Sequence, residues 1–171
     1  MSELVQTTID TPVGTLRLVA GEAGLIAVLW PDDRDGRVRL PAAVAADRDD
    51  PRLRPAVDQL GQYFAGTRQE FSLAAEASGT EFQRLAWTTL ARIPFGETRT
   101  YSQQASAMGR PAAVRAAGGA IGRNPLSIVV PCHRVVGADG SLTGFAGGVR
   151  AKAWLLEHEA RLRWLDGGTG N

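Results

Sequence analysis

Cys132 and His133 are neighbouring residues whose side chains could carry out nucleophilic chemistry. They lie in the motif Pro131-Cys132-His133-Arg134, directly after the apolar run Leu126–Val130. Cys132 is the only cysteine among the 171 residues, so it can form neither an internal disulfide nor a zinc site of several cysteines. A thiol held at the proline-bounded end of a predicted strand, beside an imidazole, is a candidate nucleophile.

A nucleophilic cysteine needs a base, because a free thiol has a pKa of about 8.5 and is mostly protonated at neutral pH. His133 could be that base. In an extended backbone, however, neighbouring side chains point to opposite faces, so the pair would need a turn at Cys132 or a bridging water. Glu157 and Glu159 are the carboxylates that could orient His133 in a Cys-His-Glu relay. The alternative is a buried structural cysteine, with His133 hydrogen-bonded to backbone groups.

The composition indicates a globular protein of one domain or two small ones. Apolar residues make up 44% of the chain, which is enough to form a core. No apolar stretch reaches the roughly 20 residues that cross a bilayer, and the first residues lack the basic and apolar segments of a signal peptide. With one cysteine and no export signal, we expect a cytoplasmic location and no membrane association.

The charged residues divide unevenly along the chain. Residues 1–78 carry 8 basic and 12 acidic side chains, whereas residues 79–165 carry 11 basic and 5 acidic ones. A basic C-terminal half suggests contact with a polyanion. Compositional drift between two domains would produce the same imbalance.

The N-terminal half is predicted to be a small antiparallel-sheet domain with one helix, spanning residues 1–78. Two apolar segments, Thr15–Ala20 and Leu25–Trp30, flank a four-residue loop and predict a hairpin. Helical spacing predicts a helix over Ala56–Phe64 that ends at Gly66. Phe71–Leu73 is a candidate short strand. No catalytic constellation is visible here, so we interpret this half as a scaffold.

The C-terminal half, residues 79–165, is predicted to be mostly helical, which makes the whole chain an α+β protein. Thr80 with Gln83, and Thr100 with Gln103, have the spacing of capping boxes that open helices. A short helix to about Met108, the turn Gly109–Pro111 with Pro111 in the next helix's first turn, and a second helix over about Ala112–Ile121 together predict a helix-turn-helix. A last helix is expected over Val149 to about Arg163, before a flexible tail at residues 166–171.

The second helix of this pair consists almost entirely of small residues. Val114, Arg115 and Ile121 are its only larger side chains. Gly118 and Gly119 each cost roughly 1 kcal/mol relative to alanine inside a helix, so a compensating interaction is expected. Close packing within the protein is one explanation, and close approach to a narrow groove of a partner is the other.

The C-terminal half resembles the O6-alkylguanine-DNA alkyltransferase family, the methylated-DNA–protein-cysteine methyltransferases, which repair O6-methylguanine. The Pro-Cys-His-Arg block, at its distance from Asn-Pro, is the most specific element of the resemblance. The motifs that carry it are Thr80–Gln83, Trp87, Ile93–Gly96, Thr100-Tyr101, Asn124-Pro125, Pro131–Val135 and Gly147-Gly148. The N-terminal half resembles the family's ribonuclease H-like companion domain through far weaker motifs.

The resemblance implies a catalytic role for five residues. Cys132 would accept the alkyl group, His133 would act as its base through a water molecule, and Glu159 would orient His133. Asn124 would hold the active-site turn. Tyr101 would help to rotate the target nucleotide and contact its base.

The resemblance also implies which residues contact DNA and the flipped base. Arg115 would enter the duplex and fill the gap, while small residues of the same helix approach the minor groove. The expected DNA-contacting set is Tyr101, Arg115, Ala116, Gly119 and Arg123. The expected base pocket contains Val135, Phe145, Ala146 and Gly147, with Phe145 where relatives often carry tyrosine.

The implied activity is DNA repair by a single-turnover transfer of a methyl or larger alkyl group from O6-alkylguanine in double-stranded DNA to Cys132. O4-methylthymine is a second candidate substrate. The resemblance implies no metal, no cofactor and a protein monomer, with cooperative assembly on DNA left open.

Three other functions compete with this activity: a non-enzymatic helix-turn-helix protein that binds alkylation lesions, a cysteine hydrolase, and a helix-turn-helix regulator. Cys132 argues against the first, because such lesion binders lack the acceptor cysteine. No hydrolase signature accompanies the second. For the third, a major-groove reader needs several polar side chains on its recognition helix, and this helix offers only Arg115.

Overall fold

The computed structural model describes residues 3–142 and 144–166. Packing divides the chain into two units. The first contains the residues up to Ser78 together with Pro125–Val129, and the second contains Gly79–Asn124 and the residues from Val130 onward. An N-terminal sheet and a helical C-terminal part give the α+β class that the sequence predicts.

A four-stranded sheet forms the base of the first unit. Its strands, in sequence order, are β1 (Leu4–Thr11), β2 (Gly14–Gly21), β3 (Gly24–Leu29) and β4 (Ala43–Ala45). The spatial order is β3-β2-β1-β4, antiparallel except for β4, which runs parallel to β1. The predicted hairpin is confirmed as β2–β3, with a shorter loop than expected. β1 was not predicted, because only Val5 and Ile9 of that strand are buried and its apolar pattern is therefore weak.

One helix, α1 (Arg54–Ala65), completes the core of this unit with Leu60 and Tyr63, both fully buried. It ends as predicted at Gly66, whose φ of 85° lies in the left-handed region that glycine adopts readily. The strand expected at Phe71–Leu73 is wrong. Both backbone polar groups of Ser72 bind the side-chain amide of Gln59 in α1, at 2.8 and 3.0 Å, instead of a neighbouring strand.

The segment Pro125–Val129 pairs with β3 and therefore belongs to the first unit. The amide of Val28 donates to the carbonyl of Pro125 at 2.8 Å, and the indole Nε1 of Trp30 donates to the hydroxyl of Ser127 at 3.0 Å. Ile128 follows at a φ of 74°, a conformation that is costly for a β-branched residue. These bonds hold the strained turn that precedes the Cys132 motif.

The second unit is mostly helical. Its elements are α2 (Glu81–Leu90), β5 (Arg99–Thr100), α3 (Tyr101–Ala107), α4 (Val114–Gly122), a 3₁₀ turn (Cys132–Arg134), β6 (Val135–Val136) and α5 (Val149–Asp166). Both predicted capping boxes form, with Thr80 and Gln83 at the start of α2 and Thr100 and Gln103 at the start of α3. α5 continues through Asp166, which the sequence analysis assigned to the tail. The rest of that tail, residues 167–171, lies outside the described residues.

The helices α3 and α4 occupy the positions predicted for the helix-turn-helix pair. α4 begins at Val114, later than expected, so Pro111 lies in the connecting turn and not in the helix. The reason is local: the amide of Ala113 donates to the carbonyl of Arg110 at 2.9 Å, which extends the turn. Gly109, at a φ of 73°, ends α3.

The small residues of α4 have different roles on its two sides. Ala117 and Ala120 are buried in the helix packing, and the carbonyl of Ala120 accepts a hydrogen bond from Trp87 of α2 at 2.8 Å. Gly119 is exposed, and a Cβ atom added there would meet nothing within 4 Å. Packing within the protein therefore explains Ala117 and Ala120 but not Gly119.

Candidate active site

Cys132 lies in a tight turn and not at the end of an extended strand. Residues Cys132–Arg134 form a single 3₁₀ turn, in which the amide of Arg134 donates to the carbonyl of Pro131 at 3.1 Å. The alternation of side chains in extended backbone therefore does not separate Cys132 from His133. Cys132 is 5% exposed.

His133 pairs with Glu159 of α5. The imidazole Nε2 lies 2.7 Å from Oε2 of Glu159, and both side chains are buried. Glu157, the other candidate carboxylate, is exposed to solvent. A helix turns by about 100° per residue, so two glutamates two positions apart face different directions, and only one can reach the turn.

Arg134 occupies a position at the site that the sequence analysis did not assign. Its Nε and Nη2 atoms lie 2.7 and 3.0 Å from the two carboxylate oxygens of Glu159, and Nη1 donates to the carbonyl of Ile93 at 2.7 Å. The guanidinium carbon lies 5.6 Å from the ring centroid of Phe95. The motif Pro-Cys-His-Arg was visible in the sequence, but a partner 25 residues away was not.

Burial is the main reason why His133 favours its neutral form. Burial lowers the pKa of His133. The hydrogen bond and charge of Glu159 act in the opposite direction, whereas the positive charges of Arg134 and Lys152 add to the effect of burial. For Glu159, burial raises the pKa, but the hydrogen bonds from His133 and Arg134 and the positive charge of Arg134 outweigh it and hold the pKa below its ordinary value.

The second ring nitrogen of His133 has no protein partner. Among the buried side-chain nitrogen and oxygen atoms of the described residues, Nδ1 of His133 alone makes no hydrogen bond. With Nε2 facing the Glu159 carboxylate, the proton of a neutral ring belongs on Nε2, and Nδ1 carries a lone pair. The ring can therefore accept a proton at Nδ1.

Asn124 holds the two ends of the segment before Cys132 together. Its side-chain Nδ2 donates to the carbonyl of Val130 at 2.9 Å, and the residue is fully buried. The intervening residues, Pro125–Val129, pair with β3 as described above. Asn124 therefore fixes the point from which the Cys132 turn begins.

Tyr101 lies beside the Cys132 turn because β5 and β6 pair in parallel. Arg99 aligns with Val135 and Thr100 with Val136, which brings the start of α3 next to the residues that follow the turn. Tyr101 is partly buried. Burial raises its pKa, and negative charge on Cys132 acts in the same direction. The two side chains therefore interact electrostatically.

The predicted base-pocket residues come from two segments, Val135 directly after the Cys132 turn and the loop Phe145–Gly147. Val135 is buried, while Phe145, Ala146 and Gly147 form a partly exposed loop before α5. A Cβ atom added to Gly144 would lie 3.8 Å from the hydroxyl of Tyr101, so this loop approaches Tyr101 closely.

Lys152 is a second residue at the site that the sequence analysis did not assign. It is 1% exposed, and its Nζ atom lies 5.8 Å from the ring centroid of Phe145. Burial lowers the pKa of Lys152, and Cys132 acts in the opposite direction. A signal was present in the sequence, because Lys152 is the only lysine among 19 basic residues.

Four of the residues expected to contact DNA, three in α4 and one directly after it, share one property. Each is exposed to solvent: Arg115, Ala116, Gly119 and Arg123. Positions 115, 119 and 123 are separated by four residues and follow one side of the helix. The exposed face of α4 therefore consists of small residues, with Arg115 near the start of the helix and Arg123 directly after its end.

The described residues contain no group of three or more histidine, cysteine, aspartate or glutamate side chains placed to hold a metal ion. None of the helices within residues 3–142 and 144–166 has the length and apolarity needed to cross a bilayer.

Two family models match the chain. The model of the 6-O-methylguanine DNA methyltransferase DNA-binding domain matches residues 81–161, and that of the ribonuclease-like domain of the same family matches residues 4–77. The chain is 44% identical over 159 residues to the methylated-DNA–protein-cysteine methyltransferase of Mycolicibacterium paratuberculosis, covering 90% of this chain and 91% of that one. It is 42% identical over 169 residues to the enzyme of the same name from Shigella flexneri, covering 95% and 99%.

Solved structures show the same relationship. The crystal structure of Mycobacterium tuberculosis OGT in complex with DNA superimposes with a TM-score of 0.83 at 41% identity, and the match covers 94% of each chain. Both halves of the chain, the Cys132 turn included, lie within these matches. The chain therefore belongs to the methylated-DNA–protein-cysteine methyltransferase family and is a DNA-binding methyltransferase of DNA repair.

Proposed function

We propose that this protein repairs O6-alkylguanine in double-stranded DNA in a single turnover, by moving the alkyl group onto Sγ of Cys132. One observation carries the proposal: the residue next to Cys132 is a buried histidine with Nε2 on a carboxylate and Nδ1 without a protein partner. That arrangement supplies a base beside the thiol. Glu159 fixes the orientation of the ring.

The proposed reaction is a direct displacement at the alkyl carbon. The thiol proton passes to Nδ1 of His133 through a water molecule, which leaves a thiolate. The thiolate forms a sulfur–carbon bond as the bond between that carbon and O6 of guanine breaks, and the base takes up a proton in becoming guanine. The thioether that forms is stable, so Cys132 is consumed and each protein molecule acts once.

The exposed face of α4 supports binding in the minor groove. Ala116 and Gly119 lack side chains that would hold the helix away from the groove floor, and Arg115 and Arg123 place positive charge near the phosphates. Gly119 destabilises the helix, and no described residue packs against it to offset that cost. Close approach to DNA would supply one.

Base flipping follows from the position of Cys132, because a thiol in a turn of the protein cannot reach O6 inside a stacked duplex. Arg115 fills the space left by the flipped nucleotide, and Tyr101 guides it. The base then lies among Val135, Phe145, Ala146 and Gly147. Loss of stacking and pairing costs a few kcal/mol, and less for a weakly paired alkylated base, so selection begins before the chemical step.

The same displacement applies to O4-methylthymine, which carries its methyl group on an equivalent oxygen. We propose it as a second substrate, because a pocket that admits a purine, with small residues at Ala146 and Gly147, also has room for the smaller pyrimidine ring.

A stoichiometric titration tests the proposed function. Duplex DNA with a labelled methyl group on O6 of one guanine is added in excess, and protein-bound label is counted over time. We expect a plateau at one methyl group per protein molecule, and no label on a Cys132→Ala variant that still binds the duplex. Label release with repeated turnover, or equal labelling of the variant, would contradict the proposal.

A further inference from the structure

All three nitrogen atoms of the Arg134 guanidinium make hydrogen bonds within the site. Two of its nitrogens bind the two oxygens of Glu159, and the third binds the carbonyl of Ile93. Arg134 is 6% exposed and Glu159 is 1% exposed, so solvent screens this pair weakly. Glu159 thus holds two cationic or polar partners at once, Arg134 and His133, and the amide of Gly96 lies 3.4 Å from its Oε1.

A carboxylate beside a histidine ordinarily makes the ring more basic, because its negative charge stabilises the imidazolium. Here the charge of Glu159 is already balanced by a bidentate arginine. Protonation of His133 would then leave a net positive charge among buried groups, which costs free energy unless a further anion balances it. The arrangement therefore favours a neutral ring.

The groups that face His133 come from two elements. Glu159 and Lys152 belong to α5, and Cys132 and Arg134 belong to the turn itself. Of these, Glu159 favours the imidazolium, whereas Arg134 and Lys152 oppose it. Arg134 differs from Lys152 in that it also fixes the carboxylate geometrically.

We propose that Arg134 is a positioning residue for alkyl transfer, which clamps both oxygens of Glu159 and balances their charge, so that His133 stays neutral with its proton on Nε2. The proposal rests on the function proposed above, in which His133 accepts a proton from Cys132 at Nδ1. A positively charged His133 could not accept that proton. Arg134 thereby keeps His133 able to accept a proton before DNA binds.

The first test measures the charge state of His133 in the intact wild-type protein, without DNA. Nitrogen NMR of the ring, from about pH 5.5 to about pH 8, distinguishes an imidazolium from either neutral tautomer. We expect His133 to remain neutral with the proton on Nε2 across this range. An imidazolium at neutral pH, or a neutral ring with its proton on Nδ1, would overturn the proposal.

The second test compares Arg134→Met with Arg134→Lys, two variants that differ in the charge retained next to Glu159. The single-turnover rate constant of methyl transfer is measured against pH for each. Lys152 is present in both, so its charge cancels from the comparison. We expect Arg134→Met to slow transfer about 10- to 100-fold and to move the acidic limb of its pH profile upward by about one unit.

Arg134→Lys should keep the wild-type pH profile but transfer the methyl group more slowly, because an ammonium lacks the planar pair of donors that matches both oxygens of Glu159. If the acidic limb of the pH profile does not move in Arg134→Met, or moves equally in both variants, Arg134 has only a structural role. Should Arg134→Met fail to fold, an imidazolium or an Nδ1-protonated ring in the wild-type protein would still overturn the proposal. If His133 is neutral but Cys132 accepts no methyl group, the proposed function fails and the role of Arg134 in setting the charge stands.

Discussion

Nε2 of His133 lies 2.7 Å from Oε2 of Glu159, and this pairing singles out one of two neighbouring glutamates of α5. Glu157 lies two residues earlier on the same helix and is exposed. The two residues have the same chemistry and nearly the same position in the chain, but only one reaches the ring. They therefore provide a matched pair for testing the relay.

Glu159→Gln should slow methyl transfer about 10- to 100-fold, because the amide no longer supplies the charge and the fixed acceptor that orient His133. It should also reduce the free energy of unfolding by about 3–5 kcal/mol, because Arg134 is left buried without its counter-charge. Single-turnover kinetics and chemical denaturation measure the two effects. Glu157→Gln is the control and should match the wild type in both, and equal rates for the two variants would reassign the carboxylate.

The pKa of His133 predicts how stability depends on pH. Its folded pKa is lowered by burial, so below about pH 6.5 the unfolded chain takes up a proton that the folded protein does not. Stability should therefore fall as the pH decreases below that value. The pKa of Glu159 is also lowered, but its contribution is lost only below about pH 4.3, where the unfolded carboxyl begins to protonate.

Urea denaturation at about pH 7.5 and about pH 5.5 isolates the His133 contribution, because Glu159 is ionised in both states over this interval. We expect the wild type to lose stability between the two values and His133→Asn to lose less. His158 is unchanged in both proteins and cancels. A pH dependence that is the same in the two proteins would mean that His133 titrates alike in the folded and unfolded states.

Arg115→Ala tests the proposed insertion into the duplex. Methyl transfer from lesion-containing duplex DNA should slow by about tenfold, which corresponds to about 1.4 kcal/mol of activation free energy. The slow reaction with the free base O6-methylguanine should be unchanged. Arg92→Ala, which removes an exposed arginine outside α4, is the control for loss of charge alone. Equal losses on duplex and free base would remove the insertion role.

Gly119→Ala separates the effect of this residue on the stability of the protein from its effect on DNA binding. The new methyl group meets nothing within 4 Å in the protein, so the variant should be more stable, by up to about 1 kcal/mol. Its affinity for duplex DNA should nevertheless fall about fivefold or more, about 1 kcal/mol. Gly61→Ala, at an exposed and equally open position of α1, should gain stability with no change in affinity.

Unchanged DNA affinity in Gly119→Ala would mean that the exposed face of α4 does not approach the groove closely. The salt dependence of binding should be measured in the same titrations, because phosphate contacts weaken as salt is added.

Local signals in the sequence predicted the local structure well. Thr100 and Gln103 bind each other's backbone amides across one helical turn, and this geometry depends on nothing outside four residues. The same holds for Gly66 at the end of α1. The strands were predicted less well than the helix ends. In β1 only two residues are buried, and Ser72 binds the side chain of Gln59 instead of a neighbouring strand.

Long-range contacts set the limit on what the sequence could predict about the site. The sequence predicted that Glu159 orients His133, and the structure shows the two side chains 2.7 Å apart; the catalytic roles of Cys132, His133 and Glu159 stay predictions. The clamp from Arg134 was missed, because a buried arginine beside a histidine is recognisable only once its carboxylate is in place. Lys152 was missed for the same reason, although its status as the only lysine could have drawn attention to it.

The role of Cys132 as the methyl acceptor is tested by the mass of the peptide that contains it, measured after the protein reacts with a duplex carrying O6-methylguanine. We predict that this peptide gains the mass of one CH₂ group, that fragmentation places the gain on the Cys132 sulfur, and that the guanine in the DNA is restored. An unmodified Cys132 peptide beside repaired DNA would contradict the account, as would a methyl group on any other residue.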